Sequence, residues 1–140
     1  MAIKILKAIE VAKKNSKQLG LNKRVKFINK PLEDIHGYKF DLIVSNPPYV
    51  MLSEQNQMKS NVLDYEPHQA IFISNKDPLL FYRLILEFAA DNLKPKGFIY
   101  FEINPLLLKE LKDLIISFSY IVFERLDIFK KVRILRLQKK

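Results

Sequence analysis

Residues 40–49 read FDLIVSNPPY, and this stretch decides the fold. The run at 40–45 is typical of a parallel strand that is covered on both faces. Pro47 and Pro48 lack N–H donors and hold φ at about −65°, so strand pairing must end there. Ligands in open α/β sheets bind just beyond the carboxyl ends of the strands. Asn46 and Tyr49 therefore stand where a functional site is expected.

The composition predicts a single globular domain. The chain has 140 residues, of which 49% are hydrophobic and 28% are charged. No apolar stretch approaches the roughly 18 residues that span a bilayer, so no membrane association is expected. The chain has no cysteine, which excludes disulfides, thiolate nucleophiles and cysteine-based metal sites, and favours a cytoplasmic location. No grouping of His, Asp and Glu has metal-ligand spacing, so no metal is predicted.

The formal net charge of +9 raises the question of nucleic-acid binding. The excess charge is spread over helix faces and the C-terminal tail, and no basic run alternates with stacking aromatic residues. A solvated basic surface is therefore favoured over a phosphate-facing or ribosome-facing patch. Direct binding of nucleic acid is not expected.

Hydrophobic spacing predicts that helices and strands alternate along the chain. The first half is predicted to contain a helix at 3–19 that ends at Gly20, strands at 25–28 and 40–45, and a polar loop at 50–76. The second half is predicted to contain a helix from Asp77 and Pro78 (as N-cap and N1) to about Leu93, a strand at 98–103, a helix from Pro105 to about Ser117, and strands at 120–125 and 131–137 that are joined by a turn at 128–130. This order indicates an α/β fold with a mainly parallel sheet and an antiparallel C-terminal end.

Several segments, in the right order, resemble the release-factor glutamine methyltransferases, a branch of the class I S-adenosylmethionine-dependent methyltransferases. The segments are 8–15, the Asn-Pro-Pro-Tyr element within 40–50, the Glu66-Pro67-His68 segment within 62–70, 77–82, 93–97 and 101–104. The Asn-Pro-Pro-Tyr element is shared with adenine N6 methyltransferases of DNA and RNA, whereas the Glu-Pro-His segment favours the glutamine enzymes. The resemblance covers nearly the whole chain. It implies a partial Rossmann-like sheet that lacks its first two strands, so that residues 1–140 form the C-terminal part of a single catalytic domain.

The resemblance implies transfer of a methyl group from S-adenosylmethionine to the side-chain amide nitrogen, N5, of a glutamine in a peptide-chain release factor. Two fixed oxygens, the Asn46 side-chain carbonyl and the Pro47 backbone carbonyl, can accept hydrogen bonds from the two amide N–H groups. The ring of Tyr49 would flank the planar amide. The expected catalytic residues are Asn46, Pro47 and Tyr49; the substrate-binding residues are these three with Pro48 and Glu66; the cofactor-binding residues are Asn46 and Leu32.

Some roles stay open between function and structure. Glu66 can contact the substrate or anchor its loop, and His68 is expected to be an ordinary loop histidine. Glu102, near the end of the predicted strand at 98–103, can be a site residue, a helix cap or a surface residue. Leu108 and Lys130 stand where relatives usually have glycine.

The resemblance also predicts an incomplete cofactor site. Family members carry a glycine-rich strand-to-helix turn upstream that holds the methionine part of the cofactor. The glycines here are Gly20, Gly37 and Gly97, and none of them forms such a turn. Pro31 stands where the family has an acidic residue near the adenine, although Glu33 or Asp34 could substitute after a shift.

Two consequences are expected from the missing strands and cofactor turn. This chain alone should bind S-adenosylmethionine weakly or not at all. The strand at 40–45 should expose an apolar edge, unless residues 25–28 pair with it directly. Two alternatives to glutamine methylation remain: adenine N6 methylation of nucleic acid, and an inactive fragment that retains only partner binding.

Overall fold

The computed structural model describes residues 2–51, 72–73 and 76–139. The chain divides into two compact units, Met1–Ile35 and His36–Lys140, and each is described by itself. The first unit contains helix α1, Ala2–Gln18, and a 3₁₀ turn, Leu32–Asp34. The predicted helix at 3–19 is therefore confirmed to within one residue at each end.

Helix α1 ends in a Schellman motif, as the position of Gly20 predicts. Gly20 has a φ of 68°, in the left-handed region that only glycine adopts without strain. Its N–H donates to the carbonyl of Lys17, and the N–H of Leu21 donates to the carbonyl of Ser16. These are the two bonds of the motif, and they satisfy carbonyl groups that the helix leaves unpaired.

The predicted strand at 25–28 is wrong, because these residues have no regular secondary structure. A strand needs a neighbour for its backbone hydrogen bonds. The resemblance places that neighbour upstream of this sequence, and the described residues of Met1–Ile35 include no strand. Val25 and Ile28 are also exposed, so little burial favours an extended conformation.

The second unit is built on a four-stranded sheet with two helices. Its described elements are β1 (Phe40–Ser45), β2 (Val50–Met51), β3 (Phe72–Ile73), α2 (Leu80–Asn92), β4 (Leu93–Glu102), a 3₁₀ turn (Pro105–Leu107), α3 (Leu108–Ser117), β5 (Tyr120–Leu126) and β6 (Val132–Lys139). The sheet order is β1-β4-β6-β5, and β2 and β3 form a separate parallel pair. The predicted strand at 40–45 is confirmed at both ends, and the last two strands are confirmed to within two residues. The last helix ends at Ser117 as predicted but begins at Leu108, after the 3₁₀ turn that Pro105 opens.

The α/β class and the antiparallel C-terminal end are confirmed. Strand β1 pairs with β4 in parallel, whereas β6 pairs with both β4 and β5 in an antiparallel arrangement. The described four-stranded sheet thus combines one parallel pair of strands with two antiparallel pairs.

The core of this unit lies between one face of the sheet and helices α2 and α3. It is formed by fully buried side chains from both layers: Tyr82, Leu86 and Ala89 of α2, Leu111 and Ile115 of α3, and Ile99, Phe101, Leu135 and Leu137 of the sheet. Phe40 and Ile43 of β1 pack against this core. The sheet therefore has an inner face that its helices cover.

The expectation that β1 is covered on both faces is wrong. Leu42 and Val44 alternate with the inward-facing residues and are 50% and 71% exposed. Among the described strands, β1 pairs with β4 alone, so it is an edge strand, and the predicted exposed apolar edge is confirmed. An exposed edge of this kind can pair with another chain.

Helix α2 begins differently from the prediction, and the strand that follows it begins earlier than predicted. Helix α2 begins at Leu80 with Leu79 as N-cap and no side-chain capping bond. Asp77 instead accepts two hydrogen bonds from Arg83 Nη2, at 2.7 and 2.8 Å. A carboxylate that is paired with a guanidinium is not free to cap the helix. Strand β4 begins at Leu93, earlier than expected, because the Lys-Pro-x-Gly segment continues directly from the helix as an irregular strand.

Candidate functional site

The Asn-Pro-Pro-Tyr turn, residues 46–49, connects β1 to β2. Strand β1 ends at Ser45, one residue before the turn, and β2 begins at Val50. The side chain of Asn46 is exposed, Pro47 is buried, and Pro48 and Tyr49 are half-buried. Because Ser45 pairs with Phe101 in a parallel register, the turn lies beside the carboxyl end of β4. The carboxyl ends of parallel strands are where a ligand is expected in an open α/β fold.

A groove of about 400 Å³ opens beside the turn. It is lined by Leu42, Val44, Ser45, Asn46, Tyr100, Phe101, Glu102 and Ile134. Most of the lining is apolar or aromatic, and Asn46 and Glu102 supply an amide and a carboxylate. An apolar groove with a few polar groups can accept and orient a planar polar group.

Tyr49 is held by the end of β4 at two points. Its hydroxyl donates a hydrogen bond to Glu102 Oε1 at 2.9 Å, and its backbone carbonyl accepts one from Asn104 Nδ2 at 3.3 Å. Burial, followed by the hydrogen bond to Glu102, raises the pKa of Tyr49 to about 12. The hydroxyl therefore remains a protonated donor at neutral pH.

The end of β4 is itself fixed from the helix layer. The hydroxyl of Tyr82, on α2, donates to the backbone carbonyl of Glu102 at 3.0 Å. Tyr82 is fully buried and its ring meets that of Phe101 edge to face, with centroids 5.2 Å apart. Asn104 also accepts a hydrogen bond from the N–H of Leu106 at 3.0 Å, which caps the following 3₁₀ turn. The turn thus rests on a rigid part of the core.

The predicted site residues divide into three groups. Asn46, Pro47, Pro48 and Tyr49 lie together at the carboxyl end of β1. Glu66, with Pro67 and His68, lies outside the described residues. Leu32 is half-buried in the 3₁₀ turn of Met1–Ile35, which is a different unit from the one that carries Asn46.

The structure shows the contacts of Glu102, whose role the sequence left open, and places Tyr82 and Asn104 beside it. Glu102 is a partner of Tyr49 and lines the groove. One indication of this arrangement was present in the sequence, at Tyr82: a tyrosine in an apolar helix face needs a hydrogen-bond partner for its hydroxyl. That partner could not be identified without the fold.

Within residues 2–51, 72–73 and 76–139, no glycine-rich strand-to-helix turn forms a cradle for the methionine part of S-adenosylmethionine. Gly20 ends helix α1, and Gly97 lies in the irregular part of β4, where a Cβ would meet Leu93 Cγ at 2.8 Å. Gly37 has a φ of 77° and lies before β1, not between a strand and a helix. The glycines of this chain therefore serve local turns and packing.

The described residues include no group of three or more His, Asp or Glu residues placed to hold a metal ion. Their helices are too short or too polar to cross a membrane.

Comparison with known proteins adds independent support for the resemblance. The chain is 45% identical over 117 residues to the release factor glutamine methyltransferase of Flavobacterium psychrophilum, across 81% of this chain and 40% of that protein. It is 40% identical to the enzyme of the same name from Bacteroides thetaiotaomicron, across 91% of this chain and 47% of that protein. The chain is thus similar to release factor glutamine methyltransferases over most of its own length. The resemblance inferred from the sequence motifs is therefore confirmed.

A family model and a further relative also carry the name methyltransferase. A family model described as an RMKL-like methyltransferase domain matches residues 4–65. The chain is 37% identical to a bifunctional methyltransferase of Rickettsia bellii, across 82% of this chain and 21% of that protein. The chain therefore spans less than half the length of each of these three relatives.

Solved structures support the fold. A methyltransferase from Pyrococcus furiosus superposes with a TM-score of 0.60 at 21% identity, across 93% of this chain and 56% of that protein. An O-methyltransferase family protein from Burkholderia thailandensis superposes with a TM-score of 0.57 at 16% identity, across 94% of this chain and 40% of that protein. Both matches agree with a partial Rossmann-like methyltransferase fold.

Proposed function

We propose that this chain supplies the acceptor side of a methyltransferase that transfers a methyl group from S-adenosylmethionine to the side-chain amide of a glutamine in a peptide-chain release factor. The observation that carries the proposal is the placement of the Asn-Pro-Pro-Tyr turn. Asn46 is exposed at the carboxyl end of β1, beside an apolar groove, and the turn is tied to the core through Tyr49. The names of the similar proteins support the choice of glutamine.

The chemistry of the acceptor explains why such a turn is useful. A glutamine amide is a poor nucleophile, because its nitrogen lone pair is delocalised into the carbonyl. The side-chain carbonyl of Asn46 and the backbone carbonyl of Pro47 can accept hydrogen bonds from the two N–H groups of that nitrogen. Two fixed acceptors favour the positive character that nitrogen gains as it is alkylated. Holding the amide nitrogen in line with the methyl group then contributes the remaining acceleration, and no strong general base is needed.

The donor side is not supplied by the described residues. No glycine of this chain lies in a strand-to-helix turn that could hold the methionine part of the donor. In this proposal the described residues orient the acceptor amide.

A chimera tests the proposal directly. The upstream part of the Flavobacterium psychrophilum relative is joined to this chain and incubated with methyl-labelled S-adenosylmethionine and two acceptors, a peptide-chain release factor and an adenine-containing oligonucleotide. We expect label in the release factor, and mass spectrometry should locate it on a glutamine side chain. Label in the oligonucleotide alone would contradict glutamine methylation and support the adenine N6 alternative. Binding of release factor without any label would support the inactive-fragment alternative.

A further inference from the structure

The contact between Tyr49 and Glu102 joins two segments that are 53 residues apart in the sequence. On one side is the turn that carries the proposed acceptor groups of Asn46 and Pro47. On the other side is the last residue of β4, whose backbone pairs with Ile134 of β6 and accepts a hydrogen bond from the buried Tyr82. The backbone of Glu102 is therefore fixed, and its side chain reaches from the core to the turn.

The two prolines make the turn stiff enough to transmit this contact. Pro47 and Pro48 hold their φ angles at about −65°, and all the peptide bonds described for the chain are trans. Two of the backbone rotations between Asn46 and Tyr49 are therefore fixed, so that holding Tyr49 restricts where the turn can lie. Asn104 adds a second hydrogen bond to the backbone of Tyr49.

We propose that Glu102 is a positioning residue, which fixes the side chain of Asn46 and the carbonyl of Pro47 by accepting the hydrogen bond of Tyr49. The inference rests on the proposed function for the chemical role of these two acceptors. It concerns a residue that the motif itself does not contain. Glu102 also lines the same groove as Asn46, so it acts next to the acceptor site and not from a distance.

Three variants of the full chain separate positioning from simple structural support. Glu102→Ala removes the acceptor, Tyr49→Phe removes the donor and keeps the ring, and Glu102→Gln keeps an acceptor oxygen without the charge. The readouts are the ¹H–¹⁵N signals of the Asn46 side-chain amide and the ionisation of Tyr49 followed by ¹³Cζ NMR. Glu124→Gln is the matched control. Glu124 lies on β5, the strand at the opposite edge of the sheet, and its carboxylate makes a similar 2.7 Å contact with the amine of Lys112.

We expect Glu102→Ala and Tyr49→Phe to shift the Asn46 amide signals in the same way, and Glu102→Gln to leave them near their wild-type positions. The pKa of Tyr49 should fall in Glu102→Ala and fall less in Glu102→Gln, since the neutral amide still accepts the hydrogen bond. Glu124→Gln should change neither readout. If Glu102→Ala does not fold, Tyr49→Phe provides the same test of the Asn46 signals.

Two results would overturn the inference. A fall in the pKa of Tyr49 without a shift at Asn46 would show that the hydrogen bond forms but does not position the turn. If neither the Asn46 amide signals nor the pKa of Tyr49 changed, the contact between Tyr49 and Glu102 would not be formed in solution. None of these readouts requires methyl transfer, so they remain informative if the labelling of the chimera fails.

Discussion

Gly97 offers a sharp test of how β4 is built, because the structure leaves no room for a side chain there. Between the pairs Phe40–Leu93 and Leu42–Phe98, β1 advances by two residues while β4 advances by five. Within this irregular segment, a Cβ at Gly97 would lie 2.8 Å from Leu93 Cγ and 2.9 Å from the backbone carbonyl of Lys94. Ordinary contacts between such atoms begin near 3.4 Å. The side chain of Leu93 is itself buried, and the carbonyl is backbone, so neither can move away cheaply.

We therefore expect Gly97→Ala to lower the free energy of unfolding by about 1–3 kcal/mol, the usual range for overpacking. Urea unfolding followed by circular dichroism should show a lower midpoint with a similar slope. Lys96→Ala, at the exposed neighbouring position, is the control. It exchanges one residue with a Cβ for another at the same φ of 62°, so it should change stability by less than about 0.5 kcal/mol. A midpoint for Gly97→Ala that equals that of Lys96→Ala would refute the described geometry of β4.

Three further predictions concern the C-terminal turn, the site and the cofactor. Lys130 has a φ of 60°, so Lys130→Gly should stabilise the chain by about 1 kcal/mol; a lower melting temperature would contradict this. Because the pKa of Tyr49 is raised from 10.0 to about 12, its stabilising effect is complete below pH 10 and is lost as the pH rises through 12. Tyr49→Phe should lose less stability than the wild type in that range, and parallel losses would be inconsistent with a raised pKa. Isothermal titration of this chain with S-adenosylmethionine should show weak or no binding, and low-micromolar affinity would contradict it.

The features that could be predicted from the sequence are those that depend on nearby residues. The spacing of apolar residues located α1 and α3, and Gly20 marked the end of α1 through its left-handed φ. Strand β1 was placed correctly because Pro47 and Pro48 end any strand locally. The two C-terminal strands were also located from the local sequence, with the turn between them placed at 128–130.

The errors concern features that depend on distant parts of the chain. Residues 25–28 have the composition of a strand, but a strand also needs a partner, and none is described in that unit. Whether the second face of β1 is covered depends on elements that the run at 40–45 cannot reveal. Asp77 was expected to cap α2, but Arg83 lies one turn into the helix and takes the carboxylate instead.

The candidate site shows the same division. The turn at 46–49 is contiguous, so the motif located it directly. Its support by Glu102 arises only from the parallel register that places Ser45 beside Phe101. The resulting contact joins Tyr49 and Glu102 over a separation of 53 residues. A sequence pattern could mark Glu102 as the end of a strand, but not as the partner of Tyr49.

The central claim is that Asn46 orients an acceptor amide, and the rate of glutamine methylation tests it most directly. In the chimera, Asn46→Ala is compared with wild type and with Asn22→Ala, a substitution at an exposed position in the other unit. We expect Asn46→Ala to reduce the rate of glutamine methylation by about 10²-fold or more, the effect of losing one preorganised polar contact, and Asn22→Ala to leave it unchanged. Methylation of the same glutamine at the wild-type rate by the Asn46→Ala chimera would contradict the account.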